Sequence, residues 1–278
     1  RRLDPAPALP MSAVPDAYPQ RIVCLTEEPT EVLYAIGEEH RIVGISGFTV
    51  RPPQARREKP KVSAFTSAKI GAILDLQPDL VIGFSDIQAD IARDLIRAGV
   101  EVWISNHRSV AGILAYIRRL GAMVGAADKA EALALRAEHH LAAVAEAAAR
   151  LPRRPRVYFE EWDDPPISGI RWVAELIRIA GGEDIFPELA EKSLARDRII
   201  ADAMEIVRRK PDLILGSWCG KRFRPQAVAT RSGWQEIPAV RHGRLYEIKS
   251  PIILQPGPAA LFDGLDALAT RIAEAAQG

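Results

Sequence analysis

Two short stretches decide the fold: Leu76-Gln-Pro78-Asp-Leu-Val-Ile-Gly83 and Arg209-Lys-Pro211-Asp-Leu-Ile-Leu-Gly216. Each reads as the end of a helix, a Pro-Asp junction and then a strand that is apolar on both faces, the pattern of a strand inside a parallel sheet. The two junctions stand 133 residues apart. The strand-like runs that open each half, Arg21-Ile-Val and Arg156-Val-Tyr, stand 135 apart. A Pro-Asp-Leu junction alone is common, but two elements repeated at nearly one spacing predict two similarly wound α/β lobes.

Reading outward from these strands gives the same alternation. Arg21-Ile-Val-Cys-Leu25 is a strand ended by the helix start Thr26-Glu27-Glu28-Pro29, and Arg41 to Ile45 is a strand entering a Pro- and Arg-rich loop from Phe48 to Pro60. Helical spacing over 69–76 and 90–98 brackets the strand at 78–83, and 100–104 is another strand. Val110 to Val124 is helical. Asp128 to Leu151 contains no Gly or Pro and almost no β-branched residue, so it reads as one helix of about 36 Å, long enough to act as a strut. The expected fold class is α/β: two doubly wound parallel-sheet lobes joined by one long α-helix. The expected segments are a leader over 1–20, an N-terminal lobe over 21–109, a helical connector over 110–151 and a C-terminal lobe over 152–278.

Composition bounds the function. A chain of 278 residues has room for two domains, and 48% hydrophobic with 26% charged residues is the make-up of a folded globular protein. Lys and Arg number 37 against 36 Asp and Glu, a formal charge of +1, so no overall field draws the chain to nucleic acid or to an anionic membrane. Cys24 and Cys219 show neither metal-ligand spacing nor a disulfide framework and are expected as free thiols. No run reaches the roughly 18 apolar residues of a membrane span. Arg1 to Gln20 lacks the apolar centre of a secretory signal, which leaves both a mature exported chain and a cytoplasmic one open.

The sequence holds no Gly-rich phosphate loop, no Gly-x-Ser-x-Gly and no His-Glu-x-x-His, so no catalytic residue is assigned. His139 and His140 fall mid-helix on the expected solvated side, and His107, just past a strand end, is the one histidine considered as a ligand contact. In Glu160-Glu161-Trp162-Asp163-Asp164, strand alternation sends neighbouring carboxylates to opposite faces, so no metal site is assigned. In doubly wound sheets the ligand crevice lies outside the carboxyl ends of the strands. Those ends carry Glu28, Phe48, Phe84, Ser85, Asp86, Trp162, Asp163 and Trp218, with Phe65 in a loop before a helix. Aromatic faces with a few polar groups suit a large, flat, partly apolar ligand.

One motif order is more specific than any single motif. The opening Arg21-Ile-Val-x-Leu25 with Thr30-Glu31, both Pro-Asp-Leu strands, Pro165-Pro166-Ile-Ser168-Gly169, a helix, and Ala180-Gly-Gly-Glu-Asp-Ile-Phe186 together resemble the substrate-binding proteins of ABC importers for cobalamin, haem and ferric siderophores. The resemblance implies two lobes joined by a rigid helix, a ligand held between them with small closure, no enzymatic activity, a monomer and a periplasmic location. It is nearest to cobalamin binders, whose first-lobe aromatic positions correspond to Phe48, Phe65 and Phe84. The second-lobe cleft positions correspond to Trp162 through Ile167, to Arg198 and to the Ser250–Gln255 loop with Ile252 and Gln255. The implied ligand is cobalamin or a related corrinoid; the alternatives are a ferric siderophore, haem, or a corrinoid bound in the cytosol without a permease. The haem relatives' ligating Tyr has no counterpart in Ser85-Asp-Ile-Gln88. The family also implies a permease partner met by one glutamate per lobe, yet Gly71 and Met204 stand at those places, with Glu205 one residue on.

Overall fold

The computed structural model describes residues 17–64 and 66–278; Phe65 and most of the expected leader lie outside them. The first sheet is built from β1 (Ile22–Cys24), β2 (Ile42–Ser46), β3 (Lys61–Ser63), β4 (Leu80–Phe84) and β5 (Val102–Ser105). Helices α1 (Glu27–Ala35), α2 (Pro53–Glu58), α3 (Ile70–Asp75) and α4 (Ala89–Arg97) connect them. All pairings are parallel, in the order β3-β2-β1-β4-β5. Helices α5 (Val110–Met123) and α6 (Ala127–Ala148) follow. At 22 residues α6 is about 33 Å long, slightly shorter than its sequence suggested because its last turn gives way to the bend before Pro152.

The second sheet contains β6 (Arg156–Asp163), β7 (Pro166–Ser168), β8 (Glu183–Asp184), β9 (Leu213–Gly216) and β10 (Leu245–Glu247). Its helices are α7 (Arg171–Ile179), α8 (Pro187–Ala190), α9 (Met204–Arg209), α10 (Pro225–Ala229), α11 (Pro238–Arg241), α12 (Ser250–Ile253) and α13 (Leu265–Ala276). The order is β10-β9-β6-β7, with β8 also on β6. The central pairs are parallel, and β7 turns back antiparallel on β6. That hairpin is a departure from the sequence reading, which expected a parallel sheet in the second lobe. Two further segments read as loops are short helices: α2, and α12 in place of the Ser250 loop.

The repeated Pro-Asp-Leu has one physical cause. Asp79 accepts hydrogen bonds from the backbone N–H groups of Gln20 and Arg21 at 2.6 and 2.9 Å, and Asp212 accepts one from the N–H of Arg156 at 2.8 Å. Each Asp therefore ties the start of the neighbouring first strand and fixes its register, Ile22 opposite Leu80 and Val157 opposite Leu213. The lobes are not independent. One apolar cluster runs from Ile22 and Ile82 through Ile113, Leu133 and Leu176 to Val157 and Leu213. Polar ties also cross it: Glu175 on α7 accepts from the N–H of Val110 at the start of α5, 2.7 Å away, and Glu31 on α1 accepts from the N–H of Ala259 at 3.0 Å. A shared core of this kind opposes wide hinge motion.

Candidate functional site

In the order β3-β2-β1-β4-β5 the chain reverses direction of winding between β1 and β4, and in the second sheet it does so between β6 and β9. The crevice of a doubly wound sheet opens at that reversal. The first lobe thus presents Thr26–Glu28 and Phe84–Asp86, and the second Glu160–Trp162 and Ser217–Cys219. The two sets lie within electrostatic reach of each other: Cys219 feels both Glu27 and Glu161, and Arg108, just past β5, feels Glu161 and Arg198 of the opposite lobe.

The first wall is an aromatic ladder. Phe84, 6% exposed, meets His107 edge-on at 5.3 Å, His107 stacks on Tyr116 at 4.5 Å, and Tyr116 stacks on Trp103 at 5.3 Å. Arg108 covers the Phe84 ring at 4.8 Å. Next to Phe84, Ser85 is held at φ +61°, a conformation that costs an L residue about 1–3 kcal/mol and recurs where function fixes the backbone. Gln88 stabilises this tip by accepting from Phe84 N at 2.9 Å and donating to Leu25 O at 3.2 Å.

Beside the ladder, the first turn of α1 buries its carboxyl groups. Burial pushes Glu28 up to about 8 and Glu27 up to about 7, so Glu28 holds a proton at neutral pH. Thr26 Oγ1 donates to Glu28 at 2.7 Å. His107 is pushed down to about 4 by burial and is neutral. Its Nε2 lies 2.7 Å from Pro256 O, so the neutral ring donates to the other lobe's backbone.

The second wall is built on paired charges. Glu160, fully buried, receives both Nη atoms of Arg231 at 2.6 and 2.9 Å, Tyr158 OH at 2.9 Å and Trp218 Nε1 at 3.1 Å. Glu161 receives both Nη atoms of Arg198 at 2.6 and 3.1 Å. Asp163 pairs with Lys221, whose ammonium lies 4.4 Å above Trp162 and 5.1 Å from Trp218. Each of these three carboxylates thus has its own cation, and among the described residues no three His, Cys, Asp or Glu side chains converge to hold a metal ion.

Residues 22–252, most of the chain, match the family described as periplasmic binding protein. The chain belongs to that family. Among its relatives, an uncharacterized ABC transporter substrate-binding lipoprotein of Bacillus subtilis (YvrC) is 26% identical over 91% of this chain and 80% of its own. The vitamin B12-binding protein of Vibrio parahaemolyticus is 24% identical over 87% of this chain and 86% of its own. Among solved structures, the periplasmic haem-binding protein RhuT of Roseiflexus sp. RS-1 superposes with a TM-score of 0.80 at 25% identity, covering 93% of this chain and 99% of that one. The family is a class of solute receptors, periplasmic or lipid-anchored.

Within this periplasmic binding protein the expected site residues fall into three groups. Phe48, 51% exposed, and Asp86 stand open at the first lobe's rim, and Trp162 and Asp163 are half-buried on the second. Glu28, Phe84, Ser85, Arg198 and Trp218 are buried behind these positions and brace the walls through the contacts above. Ile252 and Gln255 are half-buried on and just after α12, in the segment whose Pro256 O meets His107 Nε2 at 2.7 Å. Phe65 lies outside the described residues. Sequence reading passed over Arg108, Lys221, Gln88 and Arg231. Arg108 directly follows His107 and was within reach of the strand-end rule; Gln88, Lys221 and Arg231 also reach Leu25, Asp163 and Glu160, far along the chain, which spacing does not encode.

Cys24 is buried and Cys219 exposed, and both are free thiols, as expected. His140, expected on a solvated side, is half-buried: it lies 2.9 Å from Asp266 and joins α6 to α13. Gly71 and Met204 occupy the first turns of α3 and α9, and Glu205 is engaged by Arg208 and Arg209 at 2.7 and 2.9 Å.

Proposed function

We propose that this protein binds cobalamin or a related corrinoid between its two lobes, as the solute receptor of an ABC importer outside the cytoplasmic membrane. The observation that carries this reading is the pairing of the two strand-reversal tips across one cleft, with exposed Phe48 on one rim and the Trp162–Lys221 stack on the other. Ring faces beside fixed charges suit a ligand that is broad and apolar at its centre and polar at its edge. The corrinoid class is favoured by similarity to the vitamin B12-binding protein along nearly its whole length.

Haem is the second reading, supported by the likeness to RhuT. The two ligands make different demands. Haem iron draws an axial donor from its protein, whereas cyanocobalamin brings its own axial groups. His107 is occupied by Pro256 and the ring stack. Parallel absorbance titrations with cyanocobalamin and haemin separate them: the corrinoid is expected to bind one-to-one at micromolar concentration or below. Trp162→Ala is expected to weaken it by about 1–3 kcal/mol. Tighter binding of haemin, or no response to cyanocobalamin at tens of micromolar, overturns the corrinoid reading.

Contact with a permease falls, in this reading, on the faces of α3 and α9. With Gly71 and Met204 where the family resemblance implies carboxylates, that contact relies on other groups.

A further inference from the structure

Arg108 differs from the other buried arginines of the cleft. Arg198 and Arg231 each give two donors to a glutamate. Arg108 has a side chain only 14% exposed, and its Nε and Nη1 are buried without any hydrogen-bond partner. Its one ion-pair neighbour, Asp86, is 3.6 Å away and 56% exposed, beyond hydrogen-bond range. Glu161, the carboxylate facing it from the second lobe, is already held by Arg198. Buried donors without an acceptor are costly, and the cost is higher for a charged group. The Phe84 ring at 4.8 Å keeps the guanidinium in place.

We propose that Arg108 is a specificity-determining residue that receives an oxyanion on the periphery of the ligand, a carboxylate or a phosphate, through the donors it leaves unpaired. This rests on the cleft reading above and adds a chemical requirement to it. A guanidinium fork matches the two oxygens of such groups, whereas an amide carbonyl presents a single, uncharged oxygen. The site therefore discriminates between ligands that share a ring system but differ in peripheral acid groups. Cyanocobalamin supplies a phosphodiester in its nucleotide loop, and haem supplies two carboxylates.

The test pairs each acid-bearing probe with its counterpart lacking the acid: cyanocobalamin with dicyanocobinamide, and haemin with haemin dimethyl ester. Calorimetric titrations compare wild type and Arg108→Gln, with thermal unfolding to confirm that the variant is folded. Arg108→Gln is expected to weaken the acid-bearing member of the bound pair by about tenfold or more, equivalent to about 1.4 kcal/mol, and to leave its counterpart within about threefold. Arg108→Lys is expected to restore part of the loss, since it keeps the charge but not the fork. A variant that binds both members as wild type does, or loses both equally, overturns the assignment alone. A wild type that binds neither acid-bearing probe overturns the cleft reading and the assignment together.

Discussion

Glu160 and Arg231 form a two-point ion pair, 2.6 and 2.9 Å, directly beneath the tips of β6 and β9. Glu160 has no exposed surface, and its oxygens also receive Tyr158 OH and Trp218 Nε1. One carboxylate thus fixes two aromatic rings and an arginine behind the second wall of the cleft. Removing the arginine leaves a buried charge with only neutral donors, which typically costs about 3–5 kcal/mol. Arg231→Ala is expected to lower the urea unfolding free energy by that order at pH 7. A loss below about 1 kcal/mol would show that the pair does not hold the wall.

The buried carboxyl groups at the start of α1 set a pH dependence. Glu28 and Glu27 titrate near 8 and 7 in the folded chain against 4.5 ordinarily. Between these values the unfolded chain has released protons that the folded chain keeps, so their contribution to stability is full below pH 4.5 and is lost as pH rises through 7 and 8. His107, near 4 against 6.5, acts in the opposite sense: stability is lost as pH falls from 6.5 towards 4. Above pH 6.5 the carboxyl effect stands largely alone. Chemical denaturation between pH 6.5 and 8 is therefore expected to fall less steeply for Glu28→Gln than for wild type, by about 1.4 kcal/mol per pH unit. Equal slopes would mean that Glu28 is ionised in the folded protein.

Packing between α5 and α6 depends on one missing methyl. A Cβ on Gly121 would lie 2.1 Å from the Cβ of Ala130. Alanine is the better helix former by about 1 kcal/mol, but overpacking a filled contact costs about 1–3 kcal/mol and here meets a helix backbone close behind. Gly121→Ala is expected to destabilise the protein, read as a lower Tm; a rise in Tm would show that α6 yields freely and is no rigid strut.

Much of this fold was legible because it rests on local rules. Pro78-Asp79 and Pro211-Asp212 mark equivalent strands since each Asp caps its neighbour's first strand, and that job leaves a sequence signature. The hairpin of β7 on β6 was not legible, because an acidic run such as Glu160–Asp164 carries the composition of a loop. It is a strand because Arg231, Arg198 and Lys221, distant in sequence, neutralise Glu160, Glu161 and Asp163. The site was legible by position, from the strand-end rule, and not by contact. Phe84 and Trp218 stand where expected but are buried, since Arg108 covers one ring and Glu160 anchors the other.

The central claim is that the ligand sits between the reversal points of the two sheets. Cys219 reports on that place: it is exposed at the tip of β9 and feels Glu27 of the opposite lobe, whereas Cys24 is fully buried with its thiol pushed up to about 12. With iodoacetamide followed by mass spectrometry, the native protein is expected to alkylate at Cys219 alone. The most direct measurement is that alkylation rate with and without saturating cyanocobalamin. The account predicts that bound ligand slows it by about tenfold or more, the order expected when a site loses most of its access to solvent on binding. An unchanged rate at a concentration where binding is independently shown to be complete would contradict a ligand held between the lobes.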